Sequence, residues 1–481
     1  MFWFADFITT PWVYWTIAVL YMLTILGIIV VVVSENRNPV KSLAWITVLL
    51  VVPMVGLILY IVFGRNIQTK RIISRRNRRK LKRLNPAARS KPVKLQNYPA
   101  QLRQQVNLAH SLCSANYYEG NEVELFDNGT DKFNALLADI AAAKKYINLQ
   151  YYIIVDDKIG NRVLDALAER ARAGVKVRVI YDHVGSFKLS RRACRRMREA
   201  GIEAYPFFKV VFPPFGTRIN WRNHRKLAVI DGEIGYIGGM IIADRYIDGG
   251  KLFDTWRDLH LRLRGPAVGA LQQSFAIDWN FMGQPLIEEI AGTKIETSSP
   301  AGMQLVTGGP TSQWMNMTLI FQHAISSARK CIYIMTPYFI PSEGLLHALQ
   351  VAALGKVDVR LMLPQRSDSD MLRWASFSYI QECLRSGIKV YLYQKGMLHS
   401  KAIIIDDDFA TVGSTNFDFR SFEHNFEANM LIYSTDFNKR MKDQFFNDQK
   451  DSIRVTPTSW RGRPLHEKAL ESFMRLFSPI L

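Results

Sequence analysis

Disulfide chemistry is the first thing this sequence withholds. Its four cysteines (Cys113, Cys194, Cys331, Cys383) are scattered over 481 residues, with no C-x-x-C pair and no zinc spacing. That argues against a disulfide framework and a structural metal, and it fits a reducing compartment. Acidic side chains are the second scarcity. None occurs between Glu35 and Glu119, and 62 Lys and Arg against 42 Asp and Glu leave a formal net charge of +20. Such a balance calls for an anionic partner, and its distribution along the chain says which one.

Charge of either sign is missing from two stretches near the start. Pro11 to Val33 is uncharged and apolar, and Val13–Val33 alone would span roughly 31 Å as a helix, enough to cross a bilayer core. A polar turn, Ser34 to Lys41 with Pro39, precedes a second apolar run from Leu43 to Phe63. Pro53 and Gly56 interrupt that run, as transmembrane helices tolerate. A cleaved signal peptide fits poorly, because the first residues lack positive charge, the apolar run is too long and a second one follows. The expectation is a membrane hairpin with helices over about 11–33 and 43–63. Trp3, Phe4, Trp12, Tyr14 and Trp15 crowd its first boundary, while Tyr60 and Phe63 mark its last. A dense basic run follows, including Lys70, Arg71, Arg75, Arg76, Arg78, Arg79, Lys80, Lys82 and Arg83. The positive-inside rule puts this run, both termini and everything after it in the cytoplasm. Placed directly after a membrane span, it favours anionic lipid over nucleic acid as partner.

Beyond residue 118 the chain alternates Val/Ile/Tyr-rich strands with helical stretches, as α/β proteins do. The second half echoes the first. Ala143-Lys144-Lys145-Tyr146-Ile147 is answered by Ala328-Arg329-Lys330-Cys331-Ile332, Gly174-Val175-Lys176-Val177 by Gly355-Lys356-Val357-Asp358, and Ala200-Gly201-Ile202 by Ser386-Gly387-Ile388. This is duplication of a whole domain rather than a short solenoid repeat. The expected divisions are a hairpin over 1–64, a basic linker over 65–118, and two domains over 119–300 and 301–481. One difference stands out: the stretch between Gly201 and His224, which holds Tyr205 to Phe215 with its prolines and aromatics, is about eleven residues longer than that between Gly387 and His399. It either covers the core locally or forms a lipid-facing lip.

Each half carries one copy of a motif: His224-x-Lys226 with Asp231 and Gly238-Gly239, then His399-x-Lys401 with Asp406 and Gly413-Ser414. In a strand, positions i and i+2 share a face, so each imidazole should lie beside its ammonium. One copy suits an anionic phosphate. Two copies offer a nucleophile and a separate proton donor, which displacement at phosphorus needs. The pattern H-x-K-x4-D-x6-G-[SG]-x-N resembles the phospholipase D superfamily, and with the membrane segments the resemblance to its bacterial cardiolipin synthases covers essentially the whole chain. The second copy matches throughout, including Asn416; in the first, Ile241 stands where the family has Asn.

The resemblance implies two tandem phospholipase D-like α/β/α sandwich domains related by pseudo-two-fold symmetry, behind two transmembrane helices. It implies transfer of a phosphatidyl group from one phosphatidylglycerol to another through a phosphohistidine, with release of glycerol, at a bacterial inner membrane. His224, Lys226, Asp231, His399, Lys401 and Asp406 would be the catalytic set. His224 is the expected nucleophile by family habit and His399 the acid/base, although the motif itself is symmetric. Lys226, Lys401, Asn416, Ser414 and Gly239 would hold phosphate. Asp258 and Glu427 resemble the family's His-orienting acids, and which acid serves which His is left open. Asp231 and Asp406 sit in turn-like contexts that suit a structural role better than direct contact. No metal, other cofactor or nucleic acid is expected, and homo-oligomerisation stays open. The competing readings are a phospholipase D-type hydrolase or tethered nuclease and a catalytically impaired lipid-binding scaffold. Ile241 would weaken the first clamp unless a neighbour compensates, so Ile241→Asn is expected to raise turnover.

Overall fold

A computed structural model describes residues 11–34, 39–52, 99–209, 221–287 and 301–478, with a few isolated positions between them. The apolar N-terminal helices form one unit and the α/β body another. In the first, a helix runs over Pro11–Ser34, 24 residues without a charge, long and apolar enough to cross a membrane by length and composition. The next helix is described over Pro39–Val51, 13 residues or about 20 Å, short of a bilayer core. Gly56 and Tyr60 apart, the rest of the expected second span lies outside the described residues, as does most of the basic run. The Tyr60 ring meets Trp45 edge-on at 5.4 Å.

The body is a duplicated sheet. The first half contributes β1 (Tyr118–Phe126), β2 (Tyr146–Tyr151), β3 (Lys176–Asp182), β4 (Glu203–Phe207), β5 (Lys226–Ile230), β6 (Ile234–Gly238) and β7 (His260–Arg264). The second contributes β8 (Ala301–Gly308), β9 (Cys331–Met335), β10 (Asp358–Pro364), β11 (Lys389–Tyr393), β12 (Ala402–Ile405), β13 (Phe409–Gly413) and β14 (Asn425–Tyr433). Their order across the sheet is β4-β3-β2-β5-β6-β7-β1-β8-β14-β13-β12-β9-β10-β11. Each strand of the first half thus has a counterpart at the mirrored place. The two central strands, β1 and β8, pair antiparallel (Tyr118 opposite Met303, Asn121 opposite Ala301), which is what a two-fold rotation between the halves requires.

Strands β5 and β12 are buried along their whole length, which explains why Leu227–Ile230 and Ala402–Ile405 read as continuous apolar runs rather than alternating ones. One apolar cluster lies beneath the helices of each half. A third draws on both, with Val229, Ile237 and Leu261 meeting Ile404, Met430 and Ile432. One expected boundary moves. The linker had been drawn to residue 118, but the helix Ala100–Cys113 packs Val106 and Ala109 into the core of the second half. Gln304 Nε2 pins it there through the carbonyls of Val106 and Ala115.

Strands β2 and β3 run parallel, and β5 returns antiparallel beside β2, with Tyr151 opposite both Tyr181 and Lys226. The ends of β2 and β3 therefore lie at the same sheet edge as the start of β5, where His224 stands. The second half repeats this around His399, with Met335 opposite Met362 and Ala402.

Candidate active site

Each histidine is held by the other half. The two-residue strand Arg222–Asn223 pairs parallel with Asn425–Phe426, and Met397–Leu398 pairs parallel with Trp256–Arg257. His224 N then donates to Phe426 O at 2.9 Å, and His399 N donates to Arg257 O at 2.6 Å. In both cases the acceptor immediately precedes an acid. That register delivers Glu427 to His224, with Nδ1 2.9 and 3.1 Å from the two carboxylate oxygens. It delivers Asp258 to His399, with Nδ1 2.8 Å from Oδ2. The pairing of acids with histidines that the motif left open is therefore crossed between the halves. With Nδ1 turned to an acid, Nε2 is the nitrogen left for chemistry in each ring.

Each lysine lies beside its histidine as expected, although His224, His399 and Lys401 stand just ahead of the strands rather than within them. Lys226 Nζ donates to the carbonyl of His224 at 2.6 Å. Lys401 Nζ donates to the carbonyl of His399 and stands 2.6 Å from its Nδ1, 3.6 Å from Asp258. Both are fully buried, and burial pushes both ammonium groups below their ordinary value, each further lowered or raised by charges from the opposite half. Burial likewise holds both imidazoles neutral, lowered to about 4. The next influences differ: Glu427 pulls His224 back up, whereas Lys401 pushes His399 further down. Burial alone would raise Glu427 and Asp258, but the groups around them more than reverse it, chiefly the His224 ring for the first and the Lys401 ammonium for the second. The two ammonium groups beside the histidines can meet the oxygens of a phosphodiester, while Glu427 and Asp258 stay turned to the imidazoles.

Four residues grouped with the chemistry belong to other work. Asp231 and Asp406 both have positive φ, 55° and 49°, and stand at the far ends of their strands from the histidines. Asp231 accepts from the N–H groups of Lys144, Lys145 and Tyr146, and Asp406 from those of Arg329, Lys330 and Cys331. They tie a tight turn to the start of the neighbouring strand. Ser414 and Gly239 stand against the two acids. Ser414 Oγ donates to Glu427, its N–H to Ala428 O. The Gly239 N–H is spent on Leu259 O at 2.8 Å, and a Cβ there would stand 2.1 Å from Asp258 Oδ1. The glycine makes room for an acid. Asn416 remains at the site, nearly buried, with its amide oxygen lacking a hydrogen bond. Ile241 is also buried, but in the apolar core of the first half, so it is a packing residue rather than an impaired clamp.

Sequence reasoning missed the aromatic walls. Tyr246 Oη lies 3.2 Å from both Asp258 Oδ2 and His399 Nδ1, serving Asp258 as Ser414 serves Glu427. Tyr152 meets the His224 ring edge-on at 4.8 Å, and Trp256 lies 5.5 Å from that of His399. No motif marks them. Arg245 lies seven residues beyond Gly238, as Arg420 lies beyond Gly413, and that matched spacing was a signal available in the sequence. The Arg245 guanidinium sits 4.4 Å over Trp256. The described part of the long insert is core: Phe207 and Phe208 pack on Phe281 and Phe426. Residues 210–220, including the rest of the expected lip, lie outside the described residues.

Comparison with known proteins gives the same picture. The family model described as cardiolipin synthase, PLD-like domain, matches residues 136–249 and 321–449. A phospholipase D-nuclease N-terminal model matches 22–65. Cardiolipin synthase 2 of Bacillus cereus is 40% identical over 461 residues, covering 94% of this chain and 89% of its own. The major cardiolipin synthase ClsA of Bacillus subtilis is 38% identical over 476 residues, covering 97% and 98%. Among solved structures, the phosphatidylserine synthase of Haemophilus influenzae shares the fold, with a TM-score of 0.60 at 13% identity over 78% of this chain and 98% of that one.

Proposed function

We propose, for a chain that belongs to the bacterial cardiolipin synthases of the phospholipase D superfamily, a double displacement at phosphorus shared between His224 and His399. The chain is a phosphatidyltransferase, and phosphatidylglycerol serves as both donor and acceptor. His224 Nε2 attacks the phosphorus of the first lipid. The P–N bond forms, the bond from phosphorus to the headgroup glycerol oxygen breaks, and the protonated His399 gives its Nε2 proton to that oxygen. Glycerol leaves. The headgroup hydroxyl of a second phosphatidylglycerol then gives its proton to His399 and attacks, the P–N bond breaks, and cardiolipin is released. Lys226, Lys401 and Asn416 take the non-bridging oxygens. The anionic diester also raises the depressed His399, so the proton it gives is taken up from solvent as substrate binds.

The order of the two histidines rests on one observation, the unequal surroundings of their Nδ1 atoms. Glu427 gives both oxygens to His224 and supports the positive charge that develops on it during attack. The Nδ1 of His399 shares its acid with Tyr246 and lies against Lys401, whose charge makes a protonated His399 a stronger acid.

The protein is membrane-associated. Two spans, a cytoplasmic catalytic body and cytoplasmic termini are the topology we favour, supported by the two uncharged stretches and the basic run after them. The test is purified protein in phosphatidylglycerol vesicles without added metal, products resolved by mass, with His224→Ala and His399→Ala alongside. Cardiolipin plus glycerol, abolished in both variants, is the expected result. Phosphatidic acid as the main product would mean that water takes the acceptor's place.

A further inference from the structure

Three loops leave the body at the edge where the histidines stand, and each carries a large apolar side chain into solvent. The first follows β3. It is bound to the site, because Asp182 accepts from Asn223 N at 3.0 Å with one oxygen and from Val184 N and Gly185 N with the other, and Asn223 precedes His224. Ser186 Oγ donates to the carbonyl of Tyr152, the residue whose ring touches His224. At the tip, Phe187 is 75% exposed and Val184 is also exposed. The second loop follows β6, whose end lies beside the start of β5. It holds Leu252, 64% exposed, next to Phe253, which packs on Trp256 against His399. The third follows β10 and leads into the helix Asp370–Phe377, whose exposed Met371 stands three residues beyond Asp368, which accepts from Tyr338 Oη at 2.5 Å. Arg366 of this third loop donates to Leu252 O at 3.2 Å, joining two of the three.

The charge beside Phe187 is one-sided. Residues 183–198 hold six Lys and Arg and no acid, and Lys188, Arg191, Arg192 and Arg195 are exposed. Asp165 takes Arg196 at 3.3 Å and Asp156 feels the charge of Arg192, while Lys188, Arg191 and Arg195 keep the outward stripe basic. An exposed aromatic at a loop tip, flanked by a basic helix face, matches an anionic bilayer surface: the ring enters the headgroup zone while the guanidinium groups meet phosphates.

We propose that this loop edge is an interfacial docking surface for anionic phospholipid, with Phe187 inserted into the bilayer so that lipids reach His224 without leaving it. The proposal rests on phospholipid being the substrate, and it addresses how a bulky lipid reaches a buried cleft. Side chains on the rim remove the water-exposed step between membrane and site, so the surface acts on capture of bilayer substrate and not on the chemistry.

The test uses the full chain in nanodiscs, with Phe187→Ser, Phe187→Trp and an Arg191→Gln/Arg192→Gln/Arg195→Gln variant. One substrate is phosphatidylglycerol within the disc. The other is dihexanoyl phosphatidylglycerol supplied as monomers to discs of phosphatidylcholine. Phe187→Ser should raise the KM for bilayer phosphatidylglycerol about tenfold, equivalent to about 1.4 kcal/mol, and leave the kcat/KM for the monomer within twofold. Phe187→Trp should restore the parent KM, and the triple variant should lose the acceleration that anionic diluent lipid gives the parent. Unchanged KM in Phe187→Ser, or equal losses on bilayer and monomer, would overturn the proposal. A parent inactive on both substrates would overturn the lipid reading beneath it.

Discussion

Glu427→Gln is the substitution that most directly tests the division of labour between the histidines. The carboxylate is fully buried and engages His224 Nδ1 with both oxygens, at 2.9 and 3.1 Å. Ser414 Oγ and Asn425 Nδ2, the latter at 3.2 Å, donate to it from the other side. Glutamine fits the same space, and its amide can still meet the Ser414 hydroxyl, which also accepts. The change therefore removes charge while keeping shape. In the attack on phosphorus His224 becomes cationic, and no water replaces the lost carboxylate at a site with no exposure. Losing one member of such a buried pair costs about 3–4 kcal/mol of the stabilisation felt in the transition state, or about 10²–10³ in kcat. KM should change little, since the resting imidazole is neutral. The assay is rapid quench with phosphorus-labelled phosphatidylglycerol, counting acid-labile phosphate on the protein. Glu427→Gln should form the phosphoenzyme slowly and never accumulate it. Asp258→Asn, which weakens the group that activates the acceptor, should accumulate it. The opposite pattern, with intermediate trapped in Glu427→Gln and absent in Asp258→Asn, would refute the assignment and exchange the roles of His224 and His399.

The depressed histidines predict acid lability with a definite sign. Between about pH 4 and 6.5 the unfolded chain binds more protons than the native one at His224 and His399, so their stabilisation is complete above about pH 6.5 and lost as pH falls through 4, about 3 kcal/mol per residue. Asp418, raised to about 6 by burial, opposes them between about pH 4 and 6, leaving a net loss; denaturant midpoints at pH 7 and 4.5 should show it, with a smaller drop in His399→Gln. Asp231→Ala, which forfeits three backbone hydrogen bonds from a residue with positive φ, should cost about 3 kcal/mol of stability with kcat of the folded fraction unchanged; a kcat loss beyond tenfold would return Asp231 to the chemistry. Ile241→Asn buries an amide in the apolar core and should lower stability by about 2 kcal/mol or more without raising turnover; faster turnover would restore the reading of Ile241 as a defective clamp. Gly239→Ser should inactivate, because its Cβ would overlap the Asp258 carboxylate, and a fully active variant would show that Asp258 is free to move.

Much of this protein was written in local chemistry. The i, i+2 spacing of His224 with Lys226 and of His399 with Lys401 brought each pair together, because the chain is extended where it enters β5 and β12. The continuous apolar runs after Lys226 and Lys401 marked β5 and β12 as buried, and the uncharged stretch from Pro11 gave a helix of membrane length. Duplication was legible because both halves repeat the same strand and turn chemistry. Tertiary structure decided what local chemistry cannot carry. The crossed pairing of Glu427 with His224 and Asp258 with His399 depends on two short parallel strands exchanged between halves, whose partners lie about 140 to 200 positions apart in the chain. Tyr246 entered the site, and Ser414 and Gly239 came against Glu427 and Asp258, for the same reason. A side chain's partner is set by the surface that packing brings against it, and a motif records only the residues that share its strand and turn.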